Sequence, residues 1–302
     1  MWKLSALLAA TMLTVSASSA AAAEDVIATA ARETDPAAST THIAWTVVTR
    51  RGQNVYAKPL DGSRFRVNAQ GMNGATGGID GTTLVYQEYI HEPDPVSDLH
   101  FLDLESGVIS DPPAAVNTGD WEHSPGLSGD KLLFGRELIR NGDQLIVLFD
   151  LVTEQSITLA RVSPGNRFLR VGQVNGNFVT WARDTWRGDQ LRSCDVFLHD
   201  IAADETTRVP NRNGKCQYAP SVDPSGTVYF GRSGFGCGVN AAIMRYPVGG
   251  NVQRVERLSD GTDFANSFAV DNGDGTTTIY FDPARCDQSG DIPSQDIQKV
   301  VV

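Results

Sequence analysis

Cysteine is scarce in this sequence: the 302 residues contain four, and the first of them is Cys194. A lipid-modified cysteine near the N-terminus is therefore excluded. No two of the four have the Cys-x-x-Cys spacing that is typical of zinc and redox sites. A GxSxG segment, which a serine hydrolase of the α/β type needs, is also lacking; the nearest string, residues 126–130, has no glycine in the last position.

Positive charge is scarce as well. Lysine and arginine number 25 against 36 aspartates and glutamates, which gives a net charge of −11. An acidic surface repels nucleic acids and anionic lipids, because the electrostatic attraction that dominates such binding has the wrong sign. We therefore expect no nucleic acid among the partners. The apolar run at residues 4–15 is too short to span a membrane, so no membrane insertion is expected.

Residues 1–23 have the composition of a secretory signal peptide. Lys3 supplies the positive start, residues 4–15 the apolar core, and residues 20–23 a run of alanines before the cleavage point. The pattern predicts cleavage after Ala23 and a secreted or periplasmic protein; an uncleaved N-terminal anchor is the alternative. Cleavage removes the one charge of the segment and leaves a chain of net charge −12.

After residue 24 there is no helical periodicity, and one short pattern recurs. Two apolar residues, or one apolar residue and a threonine, are followed by an aromatic residue. Successive aromatics lie 41, 48, 47, 49 and 51 residues apart. A period in this range, built from short strands, is typical of the blades of a β-propeller. The six aromatics are Trp45, Tyr86, Phe134, Trp181, Phe230 and Phe281.

Each repeat contains signals for four strands. Five of the six aromatics follow a turn glycine with a polar neighbour, such as Gly81 and Gly226, and such turns favour hairpins. After the aromatic come an apolar strand ending in Asp or Pro, as in residues 145–151, and a fourth short strand. The sequence predicts an all-β fold: a six-bladed β-propeller of four-stranded antiparallel blades, formed as a single domain by residues 24–302.

Both ends of the repeat array need an explanation. The last repeat stops at Val302 one strand short, and we predict that residues 25–30 supply the missing outer strand and so close the ring. Residues 31–41 contain no convincing inner strand for the first blade. Five blades plus a cap is therefore the alternative to six blades.

The even number of cysteines in an exported chain favours disulfides. By the blade assignment, Cys194, Cys237 and Cys286 lie in loops that join second and third strands, and Cys216 lies in the connection from blade 4 to blade 5. Both kinds of loop share one face of the ring. Proximity in sequence and on that face favours the pairs Cys194–Cys216 and Cys237–Cys286, while the other two pairings stay open.

The repeat resembles a known one. In residues 219–232 an apolar-Pro-Ser-apolar-Asp-Pro-Ser-Gly segment leads into an apolar strand with an aromatic, and this looks like the TolB-type, WD40-like β-propeller repeat. Residues 124–151 match it nearly as well, and the resemblance covers residues 42–302 at repeat level. It implies the propeller fold. The N-terminal domain that precedes the propeller in periplasmic TolB proteins has no counterpart here, so a role in the Tol-Pal system is not expected.

Some TolB-like propellers resemble oligogalacturonate lyases, in which a cluster of histidines holds a metal. Only two of the five histidines here belong to the loop-rich face of the predicted ring, and two ligands do not make a secure metal site. We therefore expect no metal and no cofactor. The five are His42, His91, His100, His123 and His199.

Loops on one face of a rigid propeller are the expected place for recognition. Tryptophan and arginine are abundant in these loops, and such residues supply most of the binding energy of protein interfaces. The alternative for the tryptophans is packing over the ends of the blades. The predicted binding residues are His91, Trp121, His123, Arg140, Arg183, Trp186 and Arg187.

We therefore predict a secreted binding module for a protein or a cell-envelope glycan, without catalytic residues. The alternative is a polysaccharide lyase or glycosidase that works in the axial funnel. A pair of carboxylates in the funnel with raised pKa values would favour that enzyme. The sequence leaves the identity of the ligand and the oligomeric state open.

Overall fold

The computed structural model describes residues 22–29, 31–90, 96–211, 214–234, 240–259, 261–285 and 296–302. All regular structure in these ranges is β-strand, and twenty-four strands form six sheets of four strands each. Neighbouring strands in a sheet run antiparallel. None of the described residues forms a helix that is long and apolar enough to cross a membrane.

The first strand of the described residues, β1 (Glu24–Ile27), is short and belongs to the last blade. Blades 1 to 3 follow, and each is built in chain order from the axis outward. Blade 1 consists of β2 (Arg32–Ala38), β3 (His42–Thr49), β4 (Gly52–Pro59) and β5 (Phe65–Arg66). Blade 2 consists of β6 (Asn73–Asp80), β7 (Thr83–Ile90), β8 (Val96–Asp103) and β9 (Ile109–Ser110). Blade 3 consists of β10 (Trp121–Ser128), β11 (Lys131–Glu137), β12 (Gln144–Asp150) and β13 (Gln155–Val162).

The second half of the chain forms blades 4 to 6 in the same way. Blade 4 consists of β14 (Arg167–Asn175), β15 (Phe178–Arg187), β16 (Gln190–Asp200) and β17 (Glu205–Arg208). Blade 5 consists of β18 (Cys216–Val222), β19 (Val228–Ser233), β20 (Ala242–Tyr246) and β21 (Gln253–Arg257). Blade 6 consists of β22 (Thr262–Asp271), β23 (Thr277–Arg285) and β24 (Ile297–Val301), with β1 as its outermost strand.

The first strand of each blade lies beside the axis. β2, β6, β10, β14, β18 and β22 contact one another in that order, and β22 contacts β2, so the inner strands form a closed ring. The predicted six-bladed propeller of four-stranded blades is confirmed. The five-blade alternative is wrong, because residues 32–38 do form the inner strand of blade 1.

The hydrophobic core is divided among the spaces between blades. Each cluster of buried apolar side chains combines residues from neighbouring sheets; one, for example, joins Val196 and Leu198 of blade 4 to Val222 and Phe230 of blade 5. The six repeated aromatics are all at most 3% exposed. Each aromatic fills the space between its own blade and a neighbouring blade. The sequence repeat therefore reflects a packing arrangement that recurs from blade to blade.

Every first strand is interrupted by a β-bulge at the same level. At Asp35, Ser124 and Ala219 the bulge residue has a φ of 52°, 50° and 50°, and a proline follows each of them. A bulge takes one residue out of the hydrogen-bonded ladder, so a proline, which has no N–H, is tolerated there. The proline in the repeat pattern at residues 219–221 thus marks the bulge beside the axis.

Glycine occupies the same bulge in blades 2 and 4. A Cβ on Gly77 would lie 2.5 Å from Pro125 of blade 3, and a Cβ on Gly172 would lie 2.7 Å from the carbonyl oxygen of Pro220 in blade 5. Real Cβ atoms do not approach other atoms so closely. The inner strands are therefore packed at the bulges without room for a side chain at these two positions.

The ring is closed by the N-terminal strand, as predicted. β1 pairs antiparallel with β24, and its Glu24 lies opposite Lys299. Lys299 Nζ lies 2.6 Å from Glu24 Oε1. Ile27 is buried in a core cluster that also contains Ile297. The outer edge of blade 6 is thus paired by residues from the other end of the described chain, which joins the two ends of the propeller.

Candidate functional site

Two small cavities lie along the axis of the ring. The first, of about 130 Å³, is lined by bulge residues such as Asp35, Pro125 and Asn266. The second, of about 220 Å³, is lined by residues at the far ends of the inner strands, including Asn175 and Asp271. Pockets that hold a small-molecule ligand usually have roughly 300 to 1,000 Å³. Neither cavity reaches that size.

The side chain of Gln173 joins three inner strands beside the axis. Its Nε2 donates to the carbonyl oxygen of Ala269 at 2.9 Å, and its Oε1 accepts from the backbone N–H groups of Ala269 at 2.9 Å and Val222 at 3.2 Å. Gln173 lines the second cavity, and the preceding residue, Gly172, lines the first. Gln173 therefore lies between the two cavities and ties the inner strands of blades 4, 5 and 6 together at this level.

Two carboxyl groups, Asp35 and Asp282, form a pair near the first cavity, and Asp35 lines it. Asp282 of blade 6 is fully buried, and it accepts hydrogen bonds from Thr34 Oγ1 at 2.5 Å, the Asp35 N–H at 3.2 Å and the Asn266 N–H at 2.5 Å. Asn266 Nδ2 also donates to Asp35 Oδ1 at 2.7 Å and to Asp282 Oδ2 at 3.1 Å. Burial raises the pKa of Asp35 to about 6. Burial, and then the charge of Asp35, raise the pKa of Asp282 to about 7.

Raised pKa values of this kind are typical of the carboxylate pair of an enzyme. The surroundings of Asp35 and Asp282 differ from those of such a pair. Both oxygens of Asp282 are occupied by donors from blades 1 and 6, and the adjoining cavity is too small for a sugar chain. The hydrogen bonds of Asp282 connect blade 6 to blade 1 at the bulge of β2.

A larger cavity lies at one end of blade 4, and we call it the blade-4 groove. It has about 620 Å³, within the size range of ligand pockets. It is bounded by the segment that enters β14 and by the turn between β15 and β16. Its lining residues are Gly165, Asn166, Phe168, Arg170, Trp186, Gly188 and Asp189.

The groove exists because one hairpin is unusually long. β15 and β16 have 10 and 11 residues, whereas β17 beside them has 4. A two-residue turn at Gly188, whose φ is 57°, and Asp189 reverses the chain. The Trp186 N–H donates to the carbonyl oxygen of Asn166 at 2.7 Å, which holds the hairpin to the start of blade 4. Trp186 and Phe168 are thus placed at one opening, and Phe168 is 41% exposed.

The strand register decides which side chains share the groove's face. Phe168 lies opposite Asp184, and Arg170 lies opposite Ala182. Ala182 packs in the cluster between blades 4 and 5, so Phe168 and Arg170 lie on the blade-5 side of the sheet. Arg170 Nε donates to Asp184 Oδ2 at 2.7 Å, so the side chains of Arg170 and Asp184 lie on the same side of the sheet.

Arginines are concentrated in the stretch of chain that forms the groove. Residues 161–192 contain six arginines and two aspartates, in a chain whose net charge is −11. Arg167, Arg187 and Arg192 are exposed and make no ion pair with any residue that the structure describes. This stretch is therefore locally positive on an acidic protein.

A disulfide lies on the same side of blade 4. Cys194 and Cys216 are bonded, with their Cα atoms 4.6 Å apart, and Cys194 lies opposite Asp184 in the sheet. The predicted pair is confirmed. Cys194 lies inside β16 and not in a loop, because the hairpin continues beyond it to residue 189. Cys237 and Cys286 lie outside the described residues, so their pairing stays a prediction.

The predicted binding residues are spread over two blades. Trp186 lines the groove, and Arg187, which stands between the lining residues Trp186 and Gly188, is exposed. Arg183 lies on the opposite face of blade 4, where its guanidinium carbon lies 4.9 Å from the centroid of the Phe197 ring. The structure therefore brings Trp186 and Arg187 together and sets Arg183 apart from them.

The other predicted residues belong mainly to blade 3. Trp121 is half-buried and packs on Tyr89 of blade 2, with ring centroids 5.8 Å apart. Arg140 is exposed in the turn between β11 and β12. The His123 ring lies over Gly135, where an added Cβ would come within 2.2 Å of it, and burial lowers the pKa of His123 to about 4. His91 lies outside the described residues.

Sequence reasoning missed Phe168, Arg170 and Asp189, which line the groove, and the pair Asp35 and Asp282. One signal for the groove was present, since Phe168 stands between Arg167 and Arg170 in a segment without acidic residues. The carboxyl pair had no local signal, because its two members are 247 residues apart.

Solved structures with a similar fold include TolB proteins and a propeller domain of a protease. TolB from Acinetobacter baumannii has a TM-score of 0.54 at 14% identity, and the match covers 87% of this chain and 64% of that one. The putative TolB from Agrobacterium tumefaciens has a TM-score of 0.57 at 15% identity, with 91% of both chains covered. The β-propeller domain of the Trilobed protease from Pyrococcus furiosus has a TM-score of 0.54 at 11% identity, with 92% and 94% covered.

The chain has the fold of a TolB-like β-propeller. The identities are so low that they show the fold alone, and the chain spans 64% of the length of the Acinetobacter TolB. No protein-family model and no curated protein matches the sequence. The function of this TolB-like propeller has to be argued from its own surface.

Proposed function

We propose that this TolB-like propeller is a binding module that works outside the cytoplasm and docks a protein partner at the blade-4 groove. The observation that carries the proposal is the groove itself. It is a cavity of ligand size with two aromatic side chains at its opening, Trp186 and Phe168, and an arginine, Arg170, in its wall. Tryptophan and arginine are the residue types that most often dominate the energy of protein interfaces.

The cysteines and the predicted signal peptide support this compartment. Disulfides such as Cys194–Cys216 form and persist mainly in oxidising environments, as in a periplasm or outside the cell. Residues 1–23, read as a signal peptide cleaved after Ala23, supply the route to that compartment. In this proposal residues 24–302 contribute a single propeller domain to the exported protein.

Affinity capture tests the proposal. The mature chain, with its disulfides intact, is immobilised and exposed to envelope extract and culture fluid of the producing organism. Trp186→Ala serves as the groove variant, and Trp121→Ala, on the neighbouring blade, is the matched control. We expect a protein that is retained by the unmodified chain and by Trp121→Ala and is lost with Trp186→Ala.

Other outcomes of the capture contradict parts of the proposal. Retention of a protein by Trp186→Ala as well would remove the groove from the interface. Recovery of glycan without protein would replace the partner class. Recovery of nothing under any condition would contradict a binding module in that organism.

A second candidate, a polysaccharide lyase or glycosidase, is favoured by one observation. Asp35 and Asp282 are a carboxyl pair with raised pKa values beside a cavity on the axis. Its test is cleavage of neutral and uronate polysaccharides by the protein and by Asp35→Asn. Cleavage that this variant abolishes would establish the enzyme, and the absence of cleavage on every substrate would exclude this candidate for the tested set.

A further inference from the structure

We propose that the blade-4 groove takes an acidic, extended segment of the partner protein, with an apolar side chain seated against Trp186 and Phe168 and carboxylates set against the surrounding arginines. This inference rests on the proposed function, because it names the chemistry of the ligand for the same groove. It goes further in that it predicts which segments bind and which do not. The arginines, aromatics and neighbouring acids of the groove each bear on it.

The arginines around the groove have unused hydrogen-bonding capacity. Arg187 and Arg192 are exposed and are not ion-paired to any described residue. Arg170 uses Nε to hold Asp184 at 2.7 Å, and its terminal nitrogens make no further bond within the described chain. A guanidinium group presents a planar set of N–H donors that fits a carboxylate with two parallel hydrogen bonds. Carboxylates are therefore the ligand groups that this wall recognises.

The acids near the groove do not cancel this charge. Asp184 is 3% exposed and is already neutralised by Arg170. Asp189 does line the groove, at the tip of the hairpin, and it is the one exposed acid in residues 161–192. Arg187 and Arg192 lie within three residues of it and exceed its charge. An approaching anion therefore meets a net positive surface.

The aromatic side chains of the groove favour a polypeptide over an acidic polysaccharide as the ligand. Phe168 has no polar atom in its side chain, and it stays 41% exposed beside the half-buried Trp186. Covering such rings with apolar atoms contributes about 25 cal/mol per Å² of area removed from water. A polypeptide can offer an aliphatic side chain to the rings and carboxylates to the arginines, whereas a polyuronate has carboxylates but no apolar side chain.

Three probes test the ligand class by isothermal titration calorimetry. The first is a synthetic peptide with a central leucine pair flanked by glutamates, and the second is the same peptide with glutamine in place of every glutamate. The third is an oligogalacturonate, which carries carboxylates without an apolar side chain. We expect the acidic peptide alone to bind, with an affinity that falls about tenfold when the salt concentration rises from roughly 50 to 500 mM, because salt screens exposed charges.

The arginines are tested with a matched pair of variants. Arg187→Gln combined with Arg192→Gln removes two charges beside the groove. Arg50→Gln combined with Arg51→Gln removes two charges from the exposed turn between β3 and β4, the corresponding hairpin of blade 1. We expect the first double variant to weaken the acidic peptide about tenfold and to reduce its salt dependence, and the second to leave both unchanged.

Each outcome decides the ligand class separately from the proposed function. If the glutamine peptide bound as tightly as the acidic peptide, or if the two double variants had equal effects, the inference that the ligand is acidic would be wrong. If the oligogalacturonate bound and the peptide did not, the inference that the ligand is a polypeptide would be wrong. No binding of any probe would also overturn the inference. In all three cases the capture experiment with Trp186→Ala still decides whether the groove docks a partner.

Discussion

Asp35 and Asp282, which belong to the first and last blades, share the side-chain amide of Asn266 at 2.7 and 3.1 Å. The Asp35 N–H also donates to Asp282 Oδ2 at 3.2 Å. The two ends of the propeller are therefore joined in two places: at the outer edge by β1 and beside the axis by this pair. Both carboxyl groups have raised pKa values, so the inner join responds to pH.

The sign of that response can be stated. The two carboxyl groups have ordinary pKa values of 3.8 and folded-state values of about 6 and about 7. Between pH 4 and pH 7 the folded protein therefore binds more protons than the unfolded chain, and this pair makes stability fall as the pH rises. We expect Asp35→Asn to lower the pKa of Asp282, because the neighbouring negative charge is gone, and to make that fall shallower.

Urea unfolding between pH 4 and pH 8 measures this prediction. Asparagine suits position 35, because it adopts a positive φ more readily than most residues, and φ is 52° there. Asp204→Asn is the matched control, since Asp204 is an exposed aspartate with a φ of 49°. An identical pH profile for all three proteins would contradict the coupling of Asp35 and Asp282.

The Cys194–Cys216 disulfide joins β16 of blade 4 to β18 of blade 5 over 22 residues of chain. We expect the double variant Cys194→Ser and Cys216→Ser to lose about 2 to 4 kcal/mol of unfolding free energy, chiefly because the unfolded chain is no longer constrained. Chemical denaturation measures the loss. A loss of unfolding free energy well below this range would mean that packing between blades 4 and 5, and not the disulfide, holds the two blades together.

Closure by β1 is tested at Ile27, which is 7% exposed in the core next to blade 1. We expect Ile27→Ala to cost about 2 to 4 kcal/mol of unfolding free energy, through lost burial and the cavity that it leaves. Val108→Ala, at a side chain that is 61% exposed, should change it by less than about 0.5 kcal/mol. Equal effects of the two changes would mean that β1 does not stabilise the ring.

The fold was predictable because its main packing unit is local and repeated. The aromatic that fills each space between blades recurs at a nearly constant spacing, and the proline at residues 219–221 is the mark of a bulge that all six inner strands share. The inner strand of blade 1 was missed because Pro36 interrupts it, although proline is tolerated at that bulge.

The groove was predictable only in part, because it depends on the lengths of β15 and β16 and on which face of the sheet each side chain occupies. Trp186 and Arg187 were found from composition. Arg183 was grouped with them, yet the alternation of side chains along β15 places it on the other face of the sheet. Cys194 was assigned to a loop because the sequence does not show how far the hairpin extends. The contact of Asp35 with Asp282 required the ring itself.

The most direct test of binding at the blade-4 groove is calorimetric titration of the captured partner against the unmodified protein, Trp186→Ala and Trp121→Ala, with the thermal midpoint measured for each. We expect Trp186→Ala to weaken binding about thirtyfold or more, as at a typical interface hot spot, without a matching loss of stability. Trp121→Ala should leave the affinity unchanged. Docking at the groove would be contradicted if Trp186→Ala bound the partner as tightly as the unmodified protein. It would also be contradicted if the variant lost affinity only because it was unfolded.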